Sequence, residues 1–310
     1  MKTHRMILFF ALLAVLMAGC AQPGAVLVAS PTPEPTVAPS PQPTDEPTAE
    51  PTEGAPSFTV TGLEGLDPLD VVLQYAYEPT FFLPHAMYPF GRVPFFTLYA
   101  NGLLIYVEEG DNQDTEQAMQ VQLTPEETAA LVQQALDMGI ARLESYSEMC
   151  FDAESGQECI ADAAYTIFRV RLPDGELHEA RIYANFTPER EAFEQVMAFL
   201  GEYENPDAVP FRPEQAALFL MALEPGAETG QEVQEWPLER DLLADYPEGE
   251  FIWAYALQAE ELDQMLAAMP SNMGRATFER DGVSYQAYLV PWLPGAEYEA
   301  DLLAEFPPAS

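Results

Sequence analysis

Lysine is missing from this chain after position 2, and histidine and cysteine are nearly so, with three of each in 310 residues. Without lysine there is no Schiff base and no lysine nucleophile. His4 lies near the start, so only His85 and His178 belong to the remainder, and no H-E-x-x-H stretch exists. No G-x-S-x-G, P-loop or G-x-G-x-x-G is present either, which removes the common signatures of serine hydrolases, nucleotide hydrolases and dinucleotide enzymes. Basic charge is scarce: 12 Lys+Arg stand against 51 Asp+Glu, a net charge of −39. Such a field repels nucleic acid and anionic lipid headgroups, so neither is expected as a partner. Long apolar runs are lacking as well. The run at residues 6–17 is shorter than a helix needs to cross ~30 Å of hydrocarbon.

That run has a definite layout. In "MKTHRMILFFALLAVLMAGC" two basic residues, Lys2 and Arg5, precede it, and Ala18-Gly19-Cys20 follows. This is the arrangement of a secretory signal removed on export. Small residues directly before a cysteine resemble the lipobox of bacterial lipoproteins, with Met17 where Leu is usual and Leu16 one place earlier. The resemblance implies a signal peptide at 1–19 and a lipid on Cys20, which would anchor the chain to a membrane. A secreted chain with an incidental Cys20 and a retained anchor are the alternatives. Once Lys2 and Arg5 are removed, ten arginines face 51 carboxylates, a net of −41.

Residues 20–57 continue into "SPTPEPTVAPSPQPTDEPTAEPTEGAP", almost all Pro, Thr, Ser, Ala and Glu. Such a segment buries too little apolar surface to offset its ordering entropy, so a disordered linker is expected. Proline at nearly alternate positions favours polyproline II, which at about 3.1 Å per residue reaches ~80 Å. Beyond it, Cys150 and Cys159 bracket the polar loop "FDAESGQE". In an exported chain that pair is expected as a disulfide, contributing roughly 2–3 kcal/mol.

Residues 58–310 read as α+β. "FFTLYANGLLIYVEE" places two β-rich runs around Asn101-Gly102, "YTIFRVRLPDGELHEARIYAN" around Pro173-Asp174-Gly175, and "RATFERDGVSYQAYLVPW" around Asp281-Gly282. Each is a hairpin signal, and Asn-Gly suggests two residues at positive φ. Thr124-Pro125-Glu126-Glu127 opens a helix with an N-cap, a first-turn proline and a capping-box glutamate; Leu131, Val132, Ala135 and Leu136 form its stripe and Gly139 stops it. Thr187-Pro188-Glu189 opens a second, with Phe193, Val196, Met197 and Leu200 as its buried face and Gly201 at its end. A third spans about 258–269 and stops at Pro270. Hairpin-plus-helix repeats predict antiparallel sheets with helices on one face. "NPDAVPFRP" suggests a soft boundary, dividing unit one at 58–205 from unit two at 206–310, the second being either a free domain or an extension packed on the first.

In order, "FTLYANGLLIY", "LTPEE", "DAAYTIFRV", "WPL" and "YQAYLVPWLPGAEYE" resemble segments of an uncharacterised group of bacterial lipoproteins over roughly residues 71–297. That group carries a Tyr-Gly-Asp-Gly-like turn, where Asn101 replaces the Asp here. It also carries an Arg-Pro-Leu-Leu-Pro-like stretch, where this chain has Val290-Pro291-Trp292-Leu293-Pro294 and no Arg. The resemblance implies an exported, lipid-anchored protein and no particular activity.

The expected function is a non-enzymatic binding or interaction module of the cell envelope, without a cofactor, on the extracytoplasmic face, with an envelope protein as its partner. Its candidate surface is the aromatic and proline-rich stretch at residues 81–96, with Phe81, Phe82, His85, Tyr88, Phe90 and Arg92, together with Trp292. A small-ligand or calcium-binding protein is the first alternative. Glu108, Glu109, Asp111 and Asp114 offer oxygens, but Gln113 and Thr115 and a misplaced glycine break the EF-hand spacing. A glycan hydrolase working with two carboxylates is the second, which 51 carboxylates neither favour nor exclude.

Overall fold

In the third strand, Leu103–Glu108, apolar residues run on without alternation, and the fold explains why. Leu104 and Tyr106 face helices, while Ile105 and Val107 face a second sheet. A strand covered on both faces has no wet side to alternate with. The computed structural model describes residues 57–78, 93–108, 116–147, 163–223, 232–239, 252–257 and 259–295. Cys20, Cys150, Cys159, Phe81, Phe82, His85, Tyr88, Phe90, Arg92, Glu109, Asp111 and Asp114 lie outside these residues.

The elements in chain order are β1 (Val71–Glu78), β2 (Phe96–Tyr99), β3 (Leu103–Glu108), β4 (Gln117–Gln122), α1 (Pro125–Asp137), β5 (Tyr165–Arg171), β6 (Leu177–Tyr183) and α2 (Arg190–Gly201). They continue with β7 (Val209–Pro210), β8 (Ala216–Ala222), β9 (Val233–Glu235), β10 (Ile252–Leu257), α3 (Ala259–Ala268), β11 (Arg275–Arg280) and β12 (Val283–Pro291). The first sheet has seven strands in the order β6-β5-β1-β2-β3-β4-β7, and the second has five in the order β10-β8-β12-β11-β9. Among the described strands every pairing is antiparallel except β11 with β9; outside them, Tyr146 and Ile182 form an isolated parallel bridge. The class is α+β. Among the described residues no helix is long and apolar enough to cross a membrane.

Three buried clusters stack these elements into four layers. One lies between α1, α2 and the first sheet, with Val132, Phe193 and Val196 against Leu73, Phe96 and Phe168. The next lies between the sheets, where Tyr99, Ile105 and Val107 meet Ala217, Phe219 and Val290. The last holds Leu262 and Met265 of α3 against Leu218, Phe278 and Leu289 of the second sheet. Each sheet therefore carries its helices on one face and offers the other face to the second sheet. Burying each such Val, Leu or Phe contributes about 1.5–3 kcal/mol. Within the stretch read as a soft boundary, 205–213, lies β7, which adds a two-residue edge strand to the first sheet beside β4.

Helix α1 is built as its sequence predicts. Glu127 N–H donates to Thr124 Oγ1 at 3.2 Å, Thr124 N–H donates back to Glu127 Oε2 at 2.8 Å, and Gly139 follows at φ 96°. The Thr124 backbone N–H, foremost, and the Thr124 hydroxyl hold Glu127's carboxyl below its ordinary range. Helix α2 starts later than Thr187-Pro188 predicts, at Arg190. The Thr187 hydroxyl accepts from Glu189 N–H at 3.2 Å in a turn ahead of the helix, and no side chain caps the first turn. The chain enters this body at Phe58, which is buried against α1 and donates its N–H to Gln133 Oε1. A 3-10 turn at Val60–Leu63 follows it.

The turns differ in kind. Asp281 (φ 54°) and Gly282 (φ 79°) form the expected two-residue turn between paired Arg280 and Val283. Asn101-Gly102 does not. Residues 100–102 make a three-residue loop closed by Gly102 N–H to Tyr99 O at 2.9 Å, and only Gly102 has positive φ, 82°. Asn101 contributes through its side chain, whose Oδ1 accepts from Leu103 N–H at 2.9 Å. A Cβ on Gly102 would lie 2.3 Å from Leu123 O, so the hairpin end is fitted to the close of β4.

A buried amide joins the two sheets. Asn272, just before β11, accepts from Ala118 N–H at 2.8 Å and donates to Ala118 O at 2.7 Å and Phe211 O at 2.6 Å. Phe211 N–H itself donates to Ala118 O at 2.8 Å. The carboxamide thus stands in for a peptide group where β7 leaves β4. Beside it Ser271 Oγ donates to Glu116 O at 2.6 Å.

Candidate functional site

Trp292 is the one member of the expected binding surface within the described residues, and it does not present an open face. It is 6% exposed and packs with Val93, Phe211 and Leu293 between the sheets. The backbone fixes it there: Trp292 N–H donates to Gln215 O at 3.0 Å, extending the β8–β12 pairing by one residue. Two described residues of the aromatic stretch, Phe95 and Phe96, also serve the core. Phe96 is fully buried under the helices, and Phe95 stacks on Tyr75 at 5.3 Å between ring centres.

What Trp292 does line is a cleft of about 520 Å³. One wall is Leu69, ahead of β1, with Leu103 and Gln120 on the face of the first sheet; the other is Arg212, Glu214 and Gln215, where the chain approaches β8. Phe211, Leu293, Pro294 and Gly295 complete it. Gly295, at φ 70°, lets the chain leave β12 close to Leu69: a Cβ there would sit 3.4 Å from Leu69 Cβ. At the rim, Arg212 Nη2 donates to Asp263 Oδ1 of α3 at 2.6 Å. Leu69 is 39% exposed.

One atom in this wall is out of balance. The indole Nε1–H of Trp292 is buried and has no hydrogen-bond acceptor among the described residues. A buried donor without a partner costs ~1–3 kcal/mol, and such groups are few in native structures.

Arg171 Nε, on β5, is the other buried side-chain nitrogen without a partner among the described residues; the polar groups described next are paired. Across four strands of the first sheet, Gln74 Nε2 donates to Thr97 Oγ1 at 3.2 Å, Arg169 Nη1 donates to Gln74 Oε1 at 2.7 Å, and Arg169 Nε donates to Glu179 Oε2 at 2.6 Å. Arg181 bonds Glu78 at 2.7 Å and lies 5.1 Å from the centre of the Tyr165 ring. His178 of β6 is half-buried, and its Nε2 donates to Leu143 O at 2.9 Å. The segment carrying that carbonyl covers the edge of β6: Tyr146 N–H donates to Arg181 O, and Tyr183 N–H donates to Tyr146 O, both at 2.8 Å. Open strand edges invite pairing with other chains, and this cover removes one.

Of the weak calcium candidates, Glu108 alone lies within the described residues, and its Oε1 accepts from the Tyr106 hydroxyl at 3.2 Å. Burial, foremost, pushes the Tyr106 phenol up to about 12. Among the described residues no three or more His, Cys, Asp or Glu side chains gather as metal ligands. Sequence reasoning singled out Trp292 as an aromatic beside prolines but missed Leu69, Gln120, Arg212 and Gln215. No local pattern marks them; they meet only once the sheets pack. Set against known protein families, curated proteins and solved structures, the chain matches none.

Proposed function

We propose that this chain is a lipid-anchored, extracytoplasmic binding module of the cell envelope, non-enzymatic, held from the membrane by its proline-rich segment. The observation that carries the binding role is the cleft between the sheets, whose mixed apolar and polar lining includes Trp292, a residue with a buried indole N–H and no acceptor for it among the described residues. The anchor rests on the sequence around Cys20 and on its resemblance to bacterial lipoproteins. The test is crosslinking in the native envelope from a tagged chain, followed by mass spectrometry. A recurrent partner, with crosslinks at the cleft rim, is the expected result. The same spectra should contain an N-terminal peptide beginning at lipidated Cys20. A chain that starts elsewhere removes the anchor, and an envelope yielding no recurrent partner removes the interaction role.

A further inference from the structure

We propose that the cleft takes a non-acidic, extended peptide segment of the partner, with an aliphatic side chain in the cleft and a backbone carbonyl accepting the Trp292 indole hydrogen. This rests on the reading of the chain as an interaction module and names what it holds.

Three observations select that chemistry. First, the open apolar surface is aliphatic. Leu69 is exposed at the rim and Leu103 and Pro294 are half-buried, while Phe211 and Trp292 keep their rings inside. A sugar ring would need an exposed aromatic face to stack on, and the cleft supplies none. Second, the polar lining suits a neutral backbone. Gln120 and Gln215 each carry one acceptor and an NH₂ donor, the complement of a peptide's N–H and C=O, and Trp292 adds a donor that lacks an acceptor among the described residues. The indole hydrogen is closed to solvent, so an acceptor reaches it only by displacing a lining side chain. Third, acidic groups are excluded. The rim guanidinium of Arg212 is engaged by Asp263, Glu214 adds a carboxylate to the lining, and a chain of net charge −39 repels an acidic segment.

The experiment follows the three indole N–H signals of the ¹⁵N-labelled full chain in detergent, with Trp292→Phe assigning its own signal. The probe is a pool of capped, uncharged pentapeptides carrying Ala, Val, Leu or Ile at the centre, at millimolar concentration. The expected result is a downfield move of the Trp292 signal with the Leu or Ile peptides, the other two tryptophans unmoved. Leu69→Glu, at an exposed position outside the core, should weaken that response about tenfold or more while leaving the thermal midpoint in place. A Trp292 signal that stays fixed with every peptide overturns the proposal. So does a signal that moves with an N-acetylglucosamine oligomer and not with the peptides. Envelope crosslinking of the Leu69→Glu chain separates the two readings. Partner capture equal to wild type sinks the cleft as the contact and leaves the interaction role standing; a peptide response with no captured partner does the reverse.

Discussion

Replacing Asn272 by Ala should cost about 2–6 kcal/mol of folding free energy. The carboxamide serves two backbone groups that have no substitute at hand. Ala118 N–H loses its acceptor and Phe211 O loses its donor, whereas Ala118 O keeps Phe211 N–H. Both residues are buried, and each orphaned group costs ~1–3 kcal/mol. Urea unfolding measures the loss as a fall in midpoint at unchanged slope, which separates a stability change from a change in compactness. Gln195→Ala, on the exposed face of α2, is the control and should stay within ~0.5 kcal/mol. Asn272→Asp sharpens the test. Its carboxylate would keep Ala118 N–H but point oxygen at two carbonyls, so its folded pKa lies above the ~3.9 of an unfolded chain. A raised pKa gives stability that is fully present below the unfolded value and lost as pH rises through the folded one. The Asp variant should therefore fall furthest behind wild type near neutral pH and regain ground on acidification. An Asn272→Ala chain within 0.5 kcal/mol of wild type, or an Asp variant with no such recovery, refutes the joining role of this amide.

Further outcomes follow from single sites. Gly102→Ala should destabilise by roughly 2–3 kcal/mol in the same urea assay, since it combines positive φ with a 2.3 Å approach to Leu123 O. Thr124→Ala should cost ~1 kcal/mol by removing the cap of α1. It should also lessen the loss of stability as pH falls through the carboxylate range, because Glu127's lowered pKa confers stability above the unfolded value and forfeits it below. Ala184 and Asn185 hold φ 52° and 61° in one turn, so Ala184→Gly should raise stability by about 0.5 kcal/mol, read by thermal midpoint. In alkali, Tyr106, raised from 10.0 to about 12, gives stability present below pH 10 and lost between there and pH 12. Tyr106→Phe should flatten that part of the stability profile.

The sequence made α1 legible to the residue because its signals are local: a capping box at one end and a glycine at the other. The same logic placed α2 too early, since Thr187 gave its hydroxyl to a turn that precedes the helix rather than to the helix itself. Asn-Gly and Asp-Gly look alike in sequence yet fold differently here, because the carbonyl of Leu123 closes on Gly102 while nothing lies near Gly282. The three-residue β9 and two-residue β7 carry too short a pattern to read; pairing alone makes them strands. Asn272 binds a strand 154 positions away, and the lining of the cleft gathers residues from 69 to 295, so neither has a local signature. The layered packing was half visible: the unbroken apolar run of β3 announces a strand buried on both sides, without saying by what.

The way the chain enters the fold at Phe58 has a mechanical consequence. Tension applied anywhere ahead of residue 57 arrives first at a single aromatic plug and a short turn lying on α1, not at the rim of a sheet. That contact lies ahead of the bonds that tie the chain to the first sheet, which begin where Pro68 O and Asp70 O accept from Asn101 N–H and Ala100 N–H. Only past them does load reach β1, which is an inner strand, laced to β2 on one side and β5 on the other. Drawing it out along its own axis shears both ladders together instead of unzipping one bond at a time. A module worked under tugging would take load at its base before the sheet carrying one wall of its cleft does.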